Sequence, residues 1–479
     1  MTPKLPKPTL PDPLRRAGAA VADLPWPALP GVPAPATAVA QVRSAVAYDV
    51  VGRTALRVQR LRDERATRSA PPRPDSPMGP PLASMAWVKE LMSGHYLKAR
   101  YAPGVRKVAW VTSGAPEEVL QALGYVLIYP ENHAALCGAR KISGELCAAA
   151  EDDGYGKDQC SYVRTDLGSL ATGRTPVGQL PPPDLLVCCT NICQTVKYWY
   201  EVLADHFHVP LVVVDTPFLY GEAQPHQVDY VRRQLQEELT PVAERVAGRR
   251  LAPAAFRSAM TEARDACALW CRILERCQER PAPMTAFDSF LLMGPVVNMR
   301  GRPETTAYYR TVLAELDQRV RDGVGAIKDE RYRVLWDNLP VWYQLNALSR
   351  ALAAQGVNVV ASNYTYAWAE RAELIDPADP WTSSALTYLH PILNRSTGHK
   401  LAAMTAMVAD FAIDGVILHS DRSCKPYSLG QIDQRDRLVS EVGLPALLLE
   451  ADHNDPRVWS AEQNLGRIES FVEMMEQRG

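Results

Sequence analysis

The sequence predicts an α/β protein with two parallel-sheet domains facing a shared cleft, preceded by a proline-rich and helical extension. Two observations carry this reading. The stretch Pro183 to Pro217, PDLLVCCTNICQTVKYWYEVLADHFHVPLVVVDTP, reads as strand, polar break, helix and second strand. The same alternation of short apolar runs and amphipathic stretches returns in the second half of the chain.

Within the first unit, Leu185 to Cys188 has the length of a buried strand, and Thr190-Asn191 breaks it. Asn191 is placed to cap a helix running from about Ile192 to Phe207, with Val196, Trp199, Tyr200 and Leu203 along one stripe. Pro210 closes that helix, and Leu211 to Val214 forms the next strand. Ligands of such sheets sit at the carboxyl ends of the strands, where the loop carrying Cys193 falls. A cysteine in the first turn of a helix is expected to have a lowered thiol pKa, which favours metal ligation.

Composition excludes several classes. The chain has 479 residues, 47% hydrophobic and 22% charged, enough for two or three domains. A net charge of −2 gives no reason to expect nucleic acid or an anionic membrane surface. No apolar run approaches the roughly 20 residues that span a bilayer. The N-terminus lacks the apolar stretch of a signal peptide, so a cytoplasmic location is expected. The 10 cysteines are then thiols and not a disulfide framework.

Residues 1–36 hold ten of the 39 prolines and read as a tail or extended arm. Thr37 to Arg68 has helical periodicity, and Pro71 to Pro81 reads as a linker, giving an extension over 1–82. The first α/β domain is expected over 83–285. It holds a helix at Met85–Tyr101, strands at Val105–Thr112 and Tyr125–Tyr129, and helices at Glu117–Leu123 and Ile142–Asp152. Pro130-Glu131-Asn132-His133 follows the second strand as a loop tip. Long helices are expected at Val228–Val246 and Ala254–Cys277; Cys267, Cys271 and Cys277 lie among Leu269, Trp270 and Ile273 and read as core. The second domain, 286–479, repeats the pattern. Its strands are Arg333–Trp336, Val357–Ala361, Asp414–His419 and Ala446–Glu450, and its last helix is Ser460–Met475.

The chain has no G-x-x-x-x-G-K-[ST] loop for ATP, no G-x-G-x-x-G after a strand, no H-E-x-x-H and no paired C-x-x-C. Three cysteines remain on loops at comparable positions: Cys160, Cys193 and Cys424. Three thiolates can hold three irons of a [4Fe–4S] cluster and leave one iron open. Ligands so far apart in sequence do not by spacing alone distinguish this from three buried thiols.

The blocks VAWVTSGAPEEVLQALG, YPENHAA, DQCSYVRTDLGS, PDLLVCCTNICQTVKYWYEVL, VDTPF, RYRVLWDNLPVW and HSDRSCKPYSLGQ resemble, in this order, the iron–sulfur subunits of the 2-hydroxyacyl-CoA dehydratase and benzoyl-CoA reductase superfamily. The likeness covers about Met85 to Met475 and does not extend to the first 80 or so residues. It implies two Rossmann-like domains with the cluster between them, held by Cys160, Cys193 and Cys424. It also implies a related second catalytic subunit and an ATP-hydrolysing iron–sulfur electron donor. The chemistry implied is one-electron reduction of an acyl-CoA thioester to a ketyl-like radical. The C-S-Y-V-R-T-D-L-G block leans towards the larger subunit of ATP-dependent benzoyl-CoA reductase, with (R)-2-hydroxyacyl-CoA dehydratase as the alternative. A double-cubane reductase of small molecules, using spare thiols such as Cys137, Cys147, Cys188 and Cys189, and a non-catalytic scaffold are further readings. His133 is the expected proton donor or orienting residue. Asn191, Ser423, Arg422 and Lys425 are expected to meet substrate, and Arg164, like Arg422 and Lys425, to balance cluster or phosphate charge.

Overall fold

The computed structural model describes residues 35–71 and 74–478. Of the tail expected at 1–36, residues 1–34 lie outside these described residues, and 35–36 begin a helix. The first sheet comprises β1 (Val108–Val111), β2 (Val126–Ile128), β3 (Leu185–Cys189) and β4 (Leu211–Val214). The second comprises β5 (Tyr332–Asp337), β6 (Val357–Ser362), β7 (Gly415–Asp421) and β8 (Ala446–Ala451). Both are four-stranded and parallel, in the orders β2-β1-β3-β4 and β6-β5-β7-β8, so one topology occurs twice. Each reverses direction beside its first strand, between β1 and β3 and between β5 and β7.

Parallel sheets are covered on both faces, so their strands are continuous apolar runs. Every residue of β1 and β3 is buried. Alternate side chains serve opposite faces: Leu185, Val187 and Cys189 enter one apolar core, Leu186 and Cys188 the other. Each core continues into the second sheet, through Leu335 and Val416 in the first and Trp336 and Ile417 in the second. The boundary expected near residue 285 falls in the helices between β4 and β5. Cys267 and Cys277 are buried in the first core and Cys271 packs against it.

Three local expectations need correction. The helix after β3 spans Thr195–Phe207, leaving Cys193 in the loop before it. Asn191 does not cap that helix, because its amide donates to the carbonyls of Gly114 (3.0 Å) and Tyr388 (2.9 Å). Pro130 to His133 is not a loop tip but the first turn of the helix Pro130–Ala139, with Pro130 at the position where a missing N–H costs nothing. The sequence pattern also predicts nothing between β6 and residue 400, where short helices occupy Asn363–Ala369, Arg371–Leu374 and Pro380–Leu389.

Before the first sheet, residues 35–68 run as continuous helix with a π-helical middle at Ala45–Gly52. This helix lies on Met85–Arg100, where Arg60 pairs with Glu90 (2.9 Å) and stacks over Trp87 (4.7 Å).

The helix Ser161–Thr172, which starts immediately after Cys160, packs on Ser143–Asp152 at backbone distance. A Cβ at Gly168 would stand 1.9 Å from the carbonyl oxygen of Leu146. Gly168→Ala must therefore push the two helices apart. We expect it to cost roughly 1–3 kcal/mol, the usual range for overpacking, measured as a lower urea midpoint with an unchanged slope.

Candidate active site

A cavity of about 140 Å³ lies at the carboxyl ends of both sheets. Ser113 follows β1, Ile192 and Cys193 follow β3, Leu339 follows β5 and Cys424 follows β7, and all five line it. These are the four strands that flank the two points where strand order reverses. At such points the loops on either side diverge and leave a crevice. Here two crevices meet in one chamber.

The cavity collects Cys160, Cys193 and Cys424. Cys160 precedes the helix Ser161–Thr172, and Cys424 precedes the short helix Lys425–Ser428. All three are half-buried, with the remaining surface turned to the chamber. Cys160 lies close enough to the other two thiols to oppose their ionisation, and Cys193 does the same for Cys424. The lowered pKa expected for Cys193 is not found: burial, then the Cys160 thiol, pushes it up to about 12. Burial and the carboxylate of Asp421 likewise hold Cys424 well above the ordinary thiol range. A thiol pair this dry ionises only against a bound cation.

The three sulfurs do not close to the 4.8 Å separation of ligands around a single ion. Sulfurs on three loops around one chamber fit a cluster in which each thiolate takes a different iron. Cys137, Cys147, Cys188 and Cys189 are buried outside the chamber and are not among its lining.

Among the described residues, Asp421, Asp452 and His453 do bring ligand atoms within 4.8 Å of one another. They form an ion pair instead. Burial alone would lower the His453 pKa, but the Asp421 and Asp452 carboxylates outweigh it and hold the ring charged. Nδ1 of His453 donates to Asp421 (2.7 Å), and Nε2 reaches Ser161 Oγ (2.9 Å) and Cys160 Sγ (3.9 Å). A cation thus lies against one sulfur of the set. His453 follows β8 at the carboxyl end, and the run Asp452-His453-Asn454-Asp455 at a strand terminus is the sequence signal that could have found it.

The other expected site residues stand outside this chamber. His133 faces Thr175 Oγ1 (2.8 Å) and Cys137 Sγ (3.8 Å), and burial lowers its pKa to about 4, so it is neutral and turned elsewhere. Asn191 is committed to backbone carbonyls as described. Ser423 accepts from Ser161 N–H (3.1 Å) and joins two loops. Arg422 pairs with Glu450 at an exposed position, and Lys425 donates to the Arg422 carbonyl (2.6 Å). Arg164 is buried between Glu151 (2.6 Å) and Asp455 (2.8 Å).

Apart from the thiols and His453, the lining is mainly aromatic and aliphatic, with Trp199, Tyr364, Trp368 and Tyr427 prominent. Two buried ionisable groups interrupt it. Glu131 accepts from Ser113 N–H (3.1 Å) through Oε1, while Oε2 has no partner; burial raises its pKa to about 7. Arg371 stacks on Trp368 (4.1 Å), and its Nε and Nη1 are sealed from solvent with no partner.

The family model for the 2-hydroxyglutaryl-CoA dehydratase D-component matches residues 112–475. The (R)-2-hydroxyisocaproyl-CoA dehydratase alpha subunit of Clostridioides difficile is 32% identical over 395 residues, covering 82% of this chain and 96% of the relative. A benzoyl-CoA reductase subunit of Thauera aromatica is 29% identical over 411 residues, covering 83% of this chain and 95% of the relative. The lactoyl-CoA dehydratase alpha subunit of Anaerotignum propionicum is 29% identical over 385 residues, with 77% and 90% covered. With a match over most of its length and the blocks in one order, the chain belongs to the 2-hydroxyglutaryl-CoA dehydratase D-component family, within the superfamily that also contains the benzoyl-CoA reductases.

Proposed function

We propose that this chain is the substrate-binding, iron–sulfur subunit of an enzyme that removes water from a 2-hydroxyacyl-CoA. The observation that carries the proposal is the convergence of Cys160, Cys193 and Cys424 on one dry chamber between the two sheets. Those thiolates would hold a [4Fe–4S] cluster with one iron free of protein sulfur. The bound cluster would supply a low-potential electron beside the thioester. Dehydration is preferred over the reductase reading because dehydratase alpha subunits recur among the relatives. Reductive dearomatisation of an aromatic acyl-CoA is the second reading. It is favoured by the benzoyl-CoA reductase relative and by an aromatic-lined chamber. A double cubane would need further thiolates at the site, and the spare cysteines lie elsewhere.

The chain's own residues have assignable work. Aromatic walls exclude water and strengthen every charge interaction inside. His453, held cationic by Asp421, stabilises negative charge at Cys160. Burial lets Glu131 exchange a proton near neutral pH, and with Oε2 unpartnered it is the group placed to give or take one at the acyl chain, the role first expected of His133. A second subunit and an ATP-hydrolysing electron donor complete the enzyme, since the chain has no phosphate loop of its own.

Anaerobically purified protein should carry one four-iron cluster per chain. Cys160→Ala, Cys193→Ala and Cys424→Ala should each abolish it, with Cys267→Ala as the retained control. Iron and sulfide analysis decides this, and an intact cluster in Cys193→Ala would remove the ligand assignment.

Glu131→Gln should lower kcat by about 10²–10⁴-fold, the usual contribution of a positioned acid or base, with little change in substrate binding. In the unsubstituted enzyme a group with a pKa of about 7 should shape the kcat–pH profile. That inflection should vanish in Glu131→Gln. A profile unchanged by the substitution would assign the proton elsewhere.

A further inference from the structure

We propose that the chain carries a second ligand site, a cationic cleft at the amino ends of the first sheet that receives a condensed phosphate, either inorganic or as the phosphate chain of a nucleotide. The cleft has a volume of about 1040 Å³, at the upper end of the roughly 300–1,000 Å³ typical of small-molecule sites. Arg106 and Lys107 lead into β1, Tyr125 into β2 and Asp184 into β3, and all four line it. The chamber with the three thiols opens at the other ends of β1 and β3, and the two share no lining residue. The cleft is thus independent of the chamber and of the acyl-CoA reading.

Its charge is unbalanced. Lys98, Arg106, Lys107, Arg249 and Arg302 line it, against one carboxylate, Asp184. That carboxylate is committed, accepting from Lys107 Nζ (2.7 Å) and from Val108 N–H (2.8 Å). Among the described residues the other four cations form no ion pair. Lys98 and Arg302 are half-buried, Arg106 and Arg249 exposed. Glu304 and Asp49 act on Lys98 from outside the lining, yet burial, with Arg302 and Arg106 beside it, lowers the Lys98 pKa to about 8. Like charges held together in a part-dried cleft repel one another, and an anion between them relieves that cost.

Two glycines make room for the polar side chains. A Cβ at Gly124 would stand 2.3 Å from Nη2 of Arg249, and one at Gly301 would stand 2.5 Å from Oε1 of Gln121. Gln121 lines the cleft with both amide atoms buried and unpartnered. Three of the four unpaired cations are arginines, whose planar forks match phosphate oxygens. Cations spread along one cleft match several linked phosphates better than a single one. The chain's own N-terminal segment does not bring the missing charge, since residues 1–34 hold four basic and two acidic side chains.

Calorimetry on the full-length, anaerobically purified protein tests this, with tripolyphosphate, orthophosphate and ATP titrated in the absence of magnesium. Tripolyphosphate should bind about tenfold or more tightly than orthophosphate. Lys98→Met and Arg302→Met should each weaken tripolyphosphate about tenfold, the scale of one charge-assisted contact. Arg437→Met, which removes an exposed cation from the second half of the chain, should leave its affinity unchanged. ATP binding more tightly than tripolyphosphate, with the same sensitivity to Arg302→Met, supports a nucleotide as the source; ATP binding no more tightly supports the phosphate chain alone. Absence of tripolyphosphate binding, equal affinity for orthophosphate, or an affinity unaltered in folded Lys98→Met and Arg302→Met would overturn the proposal. Should those half-buried variants not fold, the exposed Arg106→Gln and Arg249→Gln decide, each expected to weaken binding about threefold.

Discussion

The contact on which the rest of the architecture depends is the buried ion pair between His453 and Asp421. Asp421 ends β7, and His453 follows β8, so the pair locks two strand ends of the second sheet. From there Nε2 crosses to Ser161 and Cys160, which belong to the first half of the chain. The adjoining residues extend the seam. Ser143 Oγ donates to the Asn454 carbonyl (2.6 Å), Asn454 Nδ2 donates to Ala134 O (3.0 Å) and Thr165 Oγ1 (2.7 Å), and Arg164 meets Asp455. Polar groups this deep are stable only when matched, and loss of one partner from a buried pair costs about 3–5 kcal/mol. The seam therefore fixes one relative placement of the halves. It is that placement which brings Cys160 to the chamber shared with Cys193 and Cys424.

The chamber follows from topology as much as from polar contacts. Each sheet reverses its strand order once, and each reversal opens a crevice at the carboxyl ends. Asn338 shows how tightly the second crevice is held. It adopts a left-handed backbone (φ 80°), accepts from Leu339 N–H (2.6 Å) and donates to the His419 carbonyl (2.8 Å). Asparagine tolerates this conformation better than most residues because its short amide can bond locally. Leu339 is thereby set against the cavity, while β5 and β7 are tied at their ends.

Charge inside the chamber is sparse and unevenly distributed. The thiols and His453 stand on strand-end and helix-start loops, Glu131 on a helix start, and Arg371 on a short helix after β6 with Arg300 near it behind the lining. In a medium that screens poorly, a few such groups dominate what the site will accept. Glu131 and Arg371 retain unpartnered buried atoms at the wall of the cavity, where a ligand could supply the missing partner.

Much of the fold was legible in sequence because buried parallel strands are unmistakable runs: VAWV, LLVCC and LVVV need no tertiary information. The loop positions of Cys160, Cys193 and Cys424 were legible for the same reason, although Cys193 was expected in the first helical turn and instead precedes it. Other features were not. Residues 363–394 lack a long apolar period, so their short helices gave no signal, yet they supply Tyr364, Trp368 and Arg371 to the cavity. His133 looks chemical beside a strand end, but one helical turn decides which residue faces the chamber, and Glu131 occupies that place. Asn191 and Ser423 stand at strand-end loops as their sequence positions suggest, but their bonds hold those loops together. The sequence by itself determined the strands, the doubled alternation and the thiols, since these depend on local periodicity and on residue type. Only the tertiary structure decided which thiols meet, which carboxyl loses its water and which guanidinium is left unpaired. Those outcomes depend on burial and on partners distant in the chain.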